Sequence, residues 1–143
     1  MKYRKLKGWK YELMEPLRVA VPGLAGIVIG HPYMKLSSGF LTIRKGYAWD
    51  GASGVPDNPD NMRASLFHDA LYQLMRLGLL DRKYKDVADR LFRQICLQDG
   101  MKKNWADFMY NGLKALGEGA TKPDKHPKGT IIEIKYNRRL NAQ

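Results

Sequence analysis

Apolar side chains recur at three- and four-residue spacings from residue 62 to residue 76, which is the period of a helix with one buried face. The members of this stripe are Ala64, Phe67, His68, Leu71, Tyr72 and Met75. Asp60 or Asn61 is placed to cap a helix here, so a first helix is predicted to begin near residue 62. His68 and Tyr72 are therefore expected on its buried face.

The same periodicity predicts two further helices. The second runs through "YKDVADRLFRQICLQDG", where Asp89 abuts the apolar face and Gly100 is a plausible stop. The third is predicted to follow Asn104 as its cap and to end at Gly117. The side chains predicted to point inward from the third helix are Trp105, Phe108, Met109, Leu113 and Leu116. The three helices are expected to form a central antiparallel layer.

Short apolar alternations mark the regions outside the helices. Residues 9–21 and 26–49 mix such alternations with Pro and Gly, as in "FLTIRKGYAW", and this pattern favours short strands and turns. "DGASGVPDNPDN" reads as an ordered loop, and "TIIEIKYN" near the carboxyl terminus as a closing strand. The predicted fold class is α+β, with strands from both termini around the helical layer.

A chain of 143 residues can build one domain with a real core, so 1–143 is predicted to be a single domain. Its predicted parts are a mainly β region at 1–49, a loop at 50–61, a helical core at 62–117, and a loop with the closing strand at 118–143. The longest apolar run, "VAVPGLAGIVIG", is too short to span a bilayer, and the basic amino terminus has no signal-peptide core behind it. We therefore expect neither a signal peptide nor a transmembrane helix.

The charge balance points to anionic partners. The chain has 25 Lys and Arg against 14 Asp and Glu, a net charge of +11, and the excess is concentrated near both termini. Such a balance attracts a lipid membrane, an envelope polymer or nucleic acid through a field that salt screens, and it does not choose among them. The alternative is a solvated basic surface that keeps a small protein in solution.

The adjacent His68 and Asp69 are the main chemical candidates. Neighbouring helix residues point about 100° apart, so the two side chains suit separate tasks, one handling a proton and the other a cation. Asp89 could orient His68 as a general base, with Tyr72 donating its hydroxyl to the same carboxylate. Backbone carbonyls of the loop 50–54 could join Asp69 around calcium, which prefers carboxylate and carbonyl oxygen.

The pair of motifs "HDALY" and "ADRLF", with a Gly- and Pro-containing loop before them, resembles the catalytic core of phospholipase A2. The likeness is greatest to the disulfide-free phospholipase domain of parvovirus capsid proteins. With "DGASGVP" included, about residues 40–117 are also similar to a family of uncharacterised phage and prophage proteins, and this is the closer resemblance. It implies a phage-type protein of the host cytoplasm or the virion, with a possible virion or host protein partner.

The phospholipase resemblance implies a role for each matching residue. His68 would be the general base on a water, Asp89 its orienting partner and Tyr72 a brace for Asp89. The calcium ligands would be Asp69 and loop residues, namely Trp49, Gly51 and Ser53, with Asp50 as an extra carboxylate that the phospholipase pattern lacks. Calcium would polarise an ester carbonyl and stabilise the oxyanion during hydrolysis of a lipid ester.

Two other functions fit the same residues. The cluster could be a buried polar network that fixes the helix pairing in a non-catalytic virion or host-interaction protein. It could also serve a hydrolase of a peptidoglycan or nucleotide bond, which the basic surface equally permits. An enzyme needs the cluster to be open to a cleft, whereas a structural network should be sealed and fully hydrogen-bonded. The sequence leaves the oligomeric state open.

Overall fold

The computed structural model describes residues 1–7, 11–52 and 57–123. Its architecture is α+β, which confirms the predicted fold class, and the described residues contain three helices and seven short strands. The helices are α1 (Pro59–Arg76), α2 (Lys85–Gln98) and α3 (Lys103–Leu116). The strands are β1 (Tyr3–Lys5), β2 (Tyr11–Leu13), β3 (Leu17–Ala20), β4 (Ile29–Gly30), β5 (Met34–Ser37), β6 (Phe40–Ile43) and β7 (Ala48–Trp49).

The strands form two antiparallel sheets, one in the order β1-β2-β7 and one in the order β3-β6-β5-β4. β5 and β6 are joined by the two residues Ser38 and Gly39, which both have positive φ, as a tight hairpin turn of this length requires. Alternate residues of the second sheet are fully buried, namely Met34 and Leu36 on β5 and Leu41 and Ile43 on β6. The helices and the inner face of this sheet therefore share one hydrophobic core.

The three helices pack as antiparallel neighbours. Arg63, near the start of α1, forms a two-bond ion pair with Asp99 at the end of α2, with both nitrogen–oxygen distances at 3.0 Å. Asp86, near the start of α2, accepts a hydrogen bond from Tyr110 in the second half of α3. The ends of successive helices are thus paired in opposite directions, as the short connections predict.

The start of α1 differs from its prediction. The helix begins at Pro59, with Asn58 as its N-cap, whereas the sequence pattern placed the start near residue 62 with Asp60 or Asn61 as the cap. Pro59 has its φ already fixed for a helix and lacks the N–H that the first turn cannot use. Asn61 lies inside the helix, and its side-chain oxygen accepts the backbone N–H of Asn58 at 3.1 Å. The predicted loop is therefore three residues too long.

The prediction for α3 was wrong in two respects. The helix begins at Lys103 rather than after Asn104, and its buried face is carried by Ala106 and Met109, with Leu113 half-buried beside them. Three of the side chains predicted to point inward are exposed, namely Trp105 at 44%, Phe108 at 62% and Leu116 at 85%. Among the described residues, α3 packs mainly on α2. The side that carries Ala106 and Met109 is buried, and the neighbouring side that carries Trp105, Phe108 and Leu116 is exposed.

The end of the described chain is a single 3-10 turn, Glu118–Thr121, that packs against α1. The predicted closing strand lies outside the described residues, and the strands that are described all precede α1. Within the described part of the chain, no helix has the length and apolar character needed to cross a bilayer.

Candidate functional site

Helix α1 directs His68 and Tyr72 toward α2. The two residues are four apart, so they lie one above the other on the same face, and their ring centroids are 4.0 Å apart. Phe92 of α2 makes an edge-type contact with the imidazole, with ring centroids 5.5 Å apart and planes at 74°. His68 and Tyr72 are both buried, as the apolar stripe predicts.

Asp89 of α2 lies between these two side chains and accepts from both. His68 Nε2 is 2.8 Å from Asp89 Oδ1, and the Tyr72 hydroxyl donates to the same oxygen at 2.5 Å. Both contacts were predicted from the spacing of the two motifs, and both are confirmed. Because an ionised carboxylate can only accept, the shared proton sits on Nε2 of the imidazole, and Nδ1 is left as the basic nitrogen of the neutral ring.

Lys85 is a fourth member of the cluster that the sequence reasoning missed. Its Nζ lies 2.8 Å from Asp89 Oδ2 and 2.9 Å from the backbone carbonyl oxygen of Leu113. The ammonium therefore joins the buried carboxylate to the carboxyl-terminal end of α3. The available signal was the four-residue spacing of Lys85 and Asp89, which puts opposite charges on one helix face.

These contacts hold Asp89 in its ionised form. Burial by itself would raise the pKa of the Asp89 carboxyl, but hydrogen bonds from His68, Lys85 and Tyr72 outweigh burial and lower it. Burial and the adjacent Asp89 carboxylate raise the pKa of the Tyr72 hydroxyl, so Tyr72 stays a proton donor in this cluster. The network is thus an anion surrounded by three donors.

Nδ1, the second nitrogen of His68, faces Asp69. Nδ1 and Asp69 Oδ1 are 3.9 Å apart, which is too long for a direct hydrogen bond but short enough for one water molecule to bond to both. The side chain of Asp69 is 32% exposed and that of His68 only 6%, so solvent reaches this pair from the Asp69 side.

The two residues also share their electrostatics. Burial favours the neutral imidazole, but the carboxylates of Asp69 and Asp89 outweigh burial and raise the pKa of His68 above its ordinary value. The part-buried position of Asp69 raises the pKa of its carboxyl as well, against the opposing effect of His68. Proton binding at this pair is therefore favoured in the folded protein.

Of the predicted loop ligands, the structure gives contacts for Trp49 and Gly51. Trp49 is buried at the end of β7, and its indole nitrogen donates to Ser65 Oγ at 3.0 Å, one helical turn before Asp69. Gly51 has a φ of +83°, and a Cβ there would lie 2.5 Å from a carboxylate oxygen of Asp57, so this position requires glycine. Asp57 closes the loop by accepting the backbone N–H of Ala52 at 3.1 Å.

Among the described residues of this region, side chains alone do not make up a calcium site. Calcium takes six to eight oxygen ligands, roughly, and commonly several carboxylates. In the part of the chain that the structure describes, no three His, Cys, Asp or Glu side chains converge so as to hold a metal ion. Ser53 lies outside the described residues, and Asp50 and Gly51 stay predicted ligands only. The calcium prediction rests on loop carbonyls beside Asp69, and it stays a prediction.

Of the residues singled out from the sequence, the structure brings together His68, Tyr72 and Asp89, with Asp69 at the solvent edge. The side chain of Trp49 links β7 to α1, and its predicted role as a calcium ligand through the backbone carbonyl stays a prediction. Comparison with protein-family models, with curated proteins and with solved structures gave no match in any of the three.

Proposed function

We propose that this protein is a hydrolase in which His68 activates a water molecule for attack on an ester carbonyl, with a lipid ester as the substrate class. The observation that carries the proposal is the placement of the two imidazole nitrogens. Nε2 is bound to the buried Asp89 carboxylate at 2.8 Å, and Nδ1 lies 3.9 Å from the partly exposed carboxylate of Asp69. An imidazole oriented in this way is suited to act as a general base.

The proposed step follows from the proton positions. A water bonded to Nδ1 and to the Asp69 carboxylate gives one proton to Nδ1 as its oxygen attacks the ester carbonyl. The imidazolium that forms is stabilised by Asp89, whose negative charge is held by Lys85 and Tyr72. The same proton is then returned from Nδ1 to the leaving alcohol, so the histidine ends in its initial state.

The choice of a lipid ester rests on the likeness of the "HDALY" and "ADRLF" motifs to phospholipase A2 and on the basic net charge of +11. Anionic lipid headgroups are attracted to such a chain. Peptidoglycan and nucleotide bonds are compatible with the same base and enter the experiment as competing substrates. The phage and prophage resemblance belongs to this proposal too, since it concerns the same motifs.

A second candidate function has one observation in its favour. The Asp89 side chain is fully buried, and hydrogen bonds from His68, Tyr72 and Lys85 satisfy it. In this alternative the sole role of the buried network is to fix how α1, α2 and α3 pack, and the protein is a non-catalytic virion or host-interaction protein. The two functions differ in what replacement of His68 does to turnover.

The test is a hydrolysis assay on phospholipid vesicles, with peptidoglycan and nucleotide esters as alternatives, for the unaltered protein and for His68→Gln. Removal of the general base should lower turnover by about 100-fold or more. The matched control is His31→Gln, because His31 is a half-buried histidine in a loop before β5 and is not part of the cluster. Each protein is assayed once with added calcium and once with a chelator. Turnover that is present with calcium and absent with the chelator would show that hydrolysis needs the cation.

Equal turnover in the unaltered protein and in His68→Gln on every substrate would remove the hydrolase proposal. Comparable thermal stability of His68→Gln and the control is needed to separate chemistry from unfolding. A large loss of stability in His68→Gln, with no hydrolysis by the unaltered protein, would instead support the structural network.

A further inference from the structure

The outward side of α3 is an apolar stripe. Trp105, Phe108 and Leu116 are separated by three and eight residues, which places them along one side of the helix, and they are 44%, 62% and 85% exposed. Gly112 lies between them and adds no side chain to the stripe. We call Trp105, Phe108 and Leu116 the outer face of α3.

The two aromatic rings of this face are ordered against one another. The Trp105 and Phe108 rings are stacked, with centroids 5.1 Å apart and planes 11° from parallel. Together with Lys102, Lys103 and Asn104 they line a surface depression of about 400 Å³. The lining thus carries two lysines and no carboxylate, although Lys103 also pairs with Asp107 on the far side of the helix at 3.0 Å.

We propose that the outer face of α3 docks onto an anionic lipid surface. Stacked aromatic rings beside lysines match a membrane interface, where the rings enter the boundary between headgroups and acyl chains and the ammonium groups remain among the headgroups. The net charge of +11 adds a long-range attraction to anionic lipid and opposes approach of any cationic partner.

Charge also disfavours two other occupants of this face. The chain's own segment 124–143 has five basic residues (Lys125, Lys128, Lys135, Arg138 and Arg139) against two acidic ones (Asp124 and Glu133). That segment would bring further positive charge to a depression already lined by two lysines. A second copy of the protein would bring the same net charge of +11 against itself.

The helix that carries this face also contacts the His68 cluster. Lys85, which binds Asp89, is held by the backbone carbonyl oxygens of Leu113 and Lys114 at 2.9 and 3.4 Å. The carboxyl-terminal half of α3 therefore contacts the cluster through its backbone. Docking does not depend on the hydrolysis proposed above, because vesicle binding is measured without turnover.

The first measurement is co-sedimentation of the full chain with phosphatidylcholine vesicles, with and without phosphatidylglycerol. We expect binding to the anionic vesicles, weakened between low and physiological salt. Phe108→Ser should reduce the partition coefficient by about tenfold, since it removes an aromatic side chain from the buried contact. Phe40→Ser is the matched control, because Phe40 is 39% exposed on β6, away from α3, and is covered by Arg18.

The second measurement locates Trp105 directly. Brominated lipid quenches the fluorescence of indoles that enter the acyl region. The chain has three tryptophans, so the fluorescence of Trp105 alone is obtained by subtracting the emission of Trp105→Phe from that of the unaltered protein. We expect the Trp105 fluorescence to be quenched by brominated anionic vesicles. Before lipid is added, we expect iodide in solution to quench it.

Several results would overturn the proposal. Absence of vesicle binding, or equal loss in Phe108→Ser and Phe40→Ser, would exclude the outer face of α3 as the contact. Shielding of Trp105 from iodide without lipid would show that the face is covered by the chain itself or by a second copy. Binding that is equal on neutral and anionic vesicles would exclude the choice of anionic lipid.

Discussion

Lys85 donates to the oxygen of Asp89 that His68 and Tyr72 leave free, with Nζ and Oδ2 2.8 Å apart. Asp89 is therefore bonded through both of its oxygens, to α1 on one side and, through Lys85, to the end of α3 on the other. A single buried carboxylate thus ties the three helices together. The orientation of His68 depends on the same contacts, whichever function the cluster serves.

Replacement of Lys85 should lower the stability of the protein, because the fully buried carboxylate of Asp89 loses its ammonium donor. We expect Lys85→Met to lower the free energy of unfolding by about 3 kcal/mol, measured by urea denaturation. The control is Lys103→Met, which breaks an ion pair of the same four-residue spacing with Asp107 at a lysine that is 72% exposed. That change should cost far less, because an ion pair in contact with solvent contributes little to stability. Similar losses in both variants would contradict the central place given to Lys85.

The pH dependence of stability should carry the signature of His68. Because the folded protein raises the pKa of His68, protonation of the imidazole favours the folded state. The resulting stabilisation is fully present below the unfolded pKa of about 6.5 and is lost as the pH rises through the higher folded pKa. The stability difference between the unaltered protein and His68→Gln should therefore shrink as the pH is raised.

His31 provides a control of opposite sign for this measurement. Burial lowers the pKa of His31, so the folded state favours its neutral imidazole. The contribution of His31 to the free energy of unfolding is therefore lost as the pH falls below the pKa of histidine in the unfolded chain, and not as the pH rises. If His68 is also the general base, turnover should rise over the same pH range in which its stabilisation disappears. If the stability difference between the unaltered protein and His68→Gln grows with pH, the pKa of His68 is not raised by folding and the prediction is wrong.

The Tyr72 hydroxyl should contribute more to stability than an ordinary surface tyrosine does. Tyr72→Phe removes a donor from a buried, ionised carboxylate, for which we expect a loss of about 2 kcal/mol and a rise in the pKa of Asp89. Tyr110→Phe is the matched control, because its hydroxyl bonds the carboxylate of Asp86 at 2.6 Å in a part-buried setting. The control should cost about 0.5 kcal/mol, and reversal of this order in thermal or chemical denaturation would refute the prediction.

Gly117 should be intolerant of a side chain although its backbone conformation is ordinary. A Cβ at this position would lie 2.6 Å from the Tyr72 hydroxyl and 3.3 Å from Lys85 Cε. Gly117→Ala should therefore destabilise the protein by about 1 to 3 kcal/mol by forcing the cluster apart. In Gly112→Ala the added Cβ meets nothing within 4 Å, and the better helix propensity of alanine should stabilise α3 by up to about 1 kcal/mol. Melting temperatures that shift in the same direction for both variants would disprove the close approach at Gly117.

Much of the cluster followed from the sequence because its residues are local on two helices. The spacing of His68 and Tyr72 puts both on one side of α1, and the apolar neighbours of Asp89 put that carboxylate on the buried side of α2. A short connection makes such helices antiparallel neighbours, so the contact between the motifs required no further information. Lys85 was within reach of the same reasoning, but its second partner, the carbonyl oxygen of Leu113, is set by how α3 ends.

The sequence by itself determined the fold class, the three helices and the meeting of His68 with Asp89, because periodicity and short connections are local properties. Only the tertiary structure decided which side of α3 is covered. Apolar residues lie on two neighbouring sides of that helix, and Ala106 and Met109 are buried whereas Trp105 and Phe108 are exposed. The start of α1 was also decided in three dimensions, because several residues could cap a helix there. In the structure Asn58 is the cap, and its backbone N–H donates to the side chain of Asn61. Periodicity states that a face is apolar, whereas burial depends on whether another element is present to cover it.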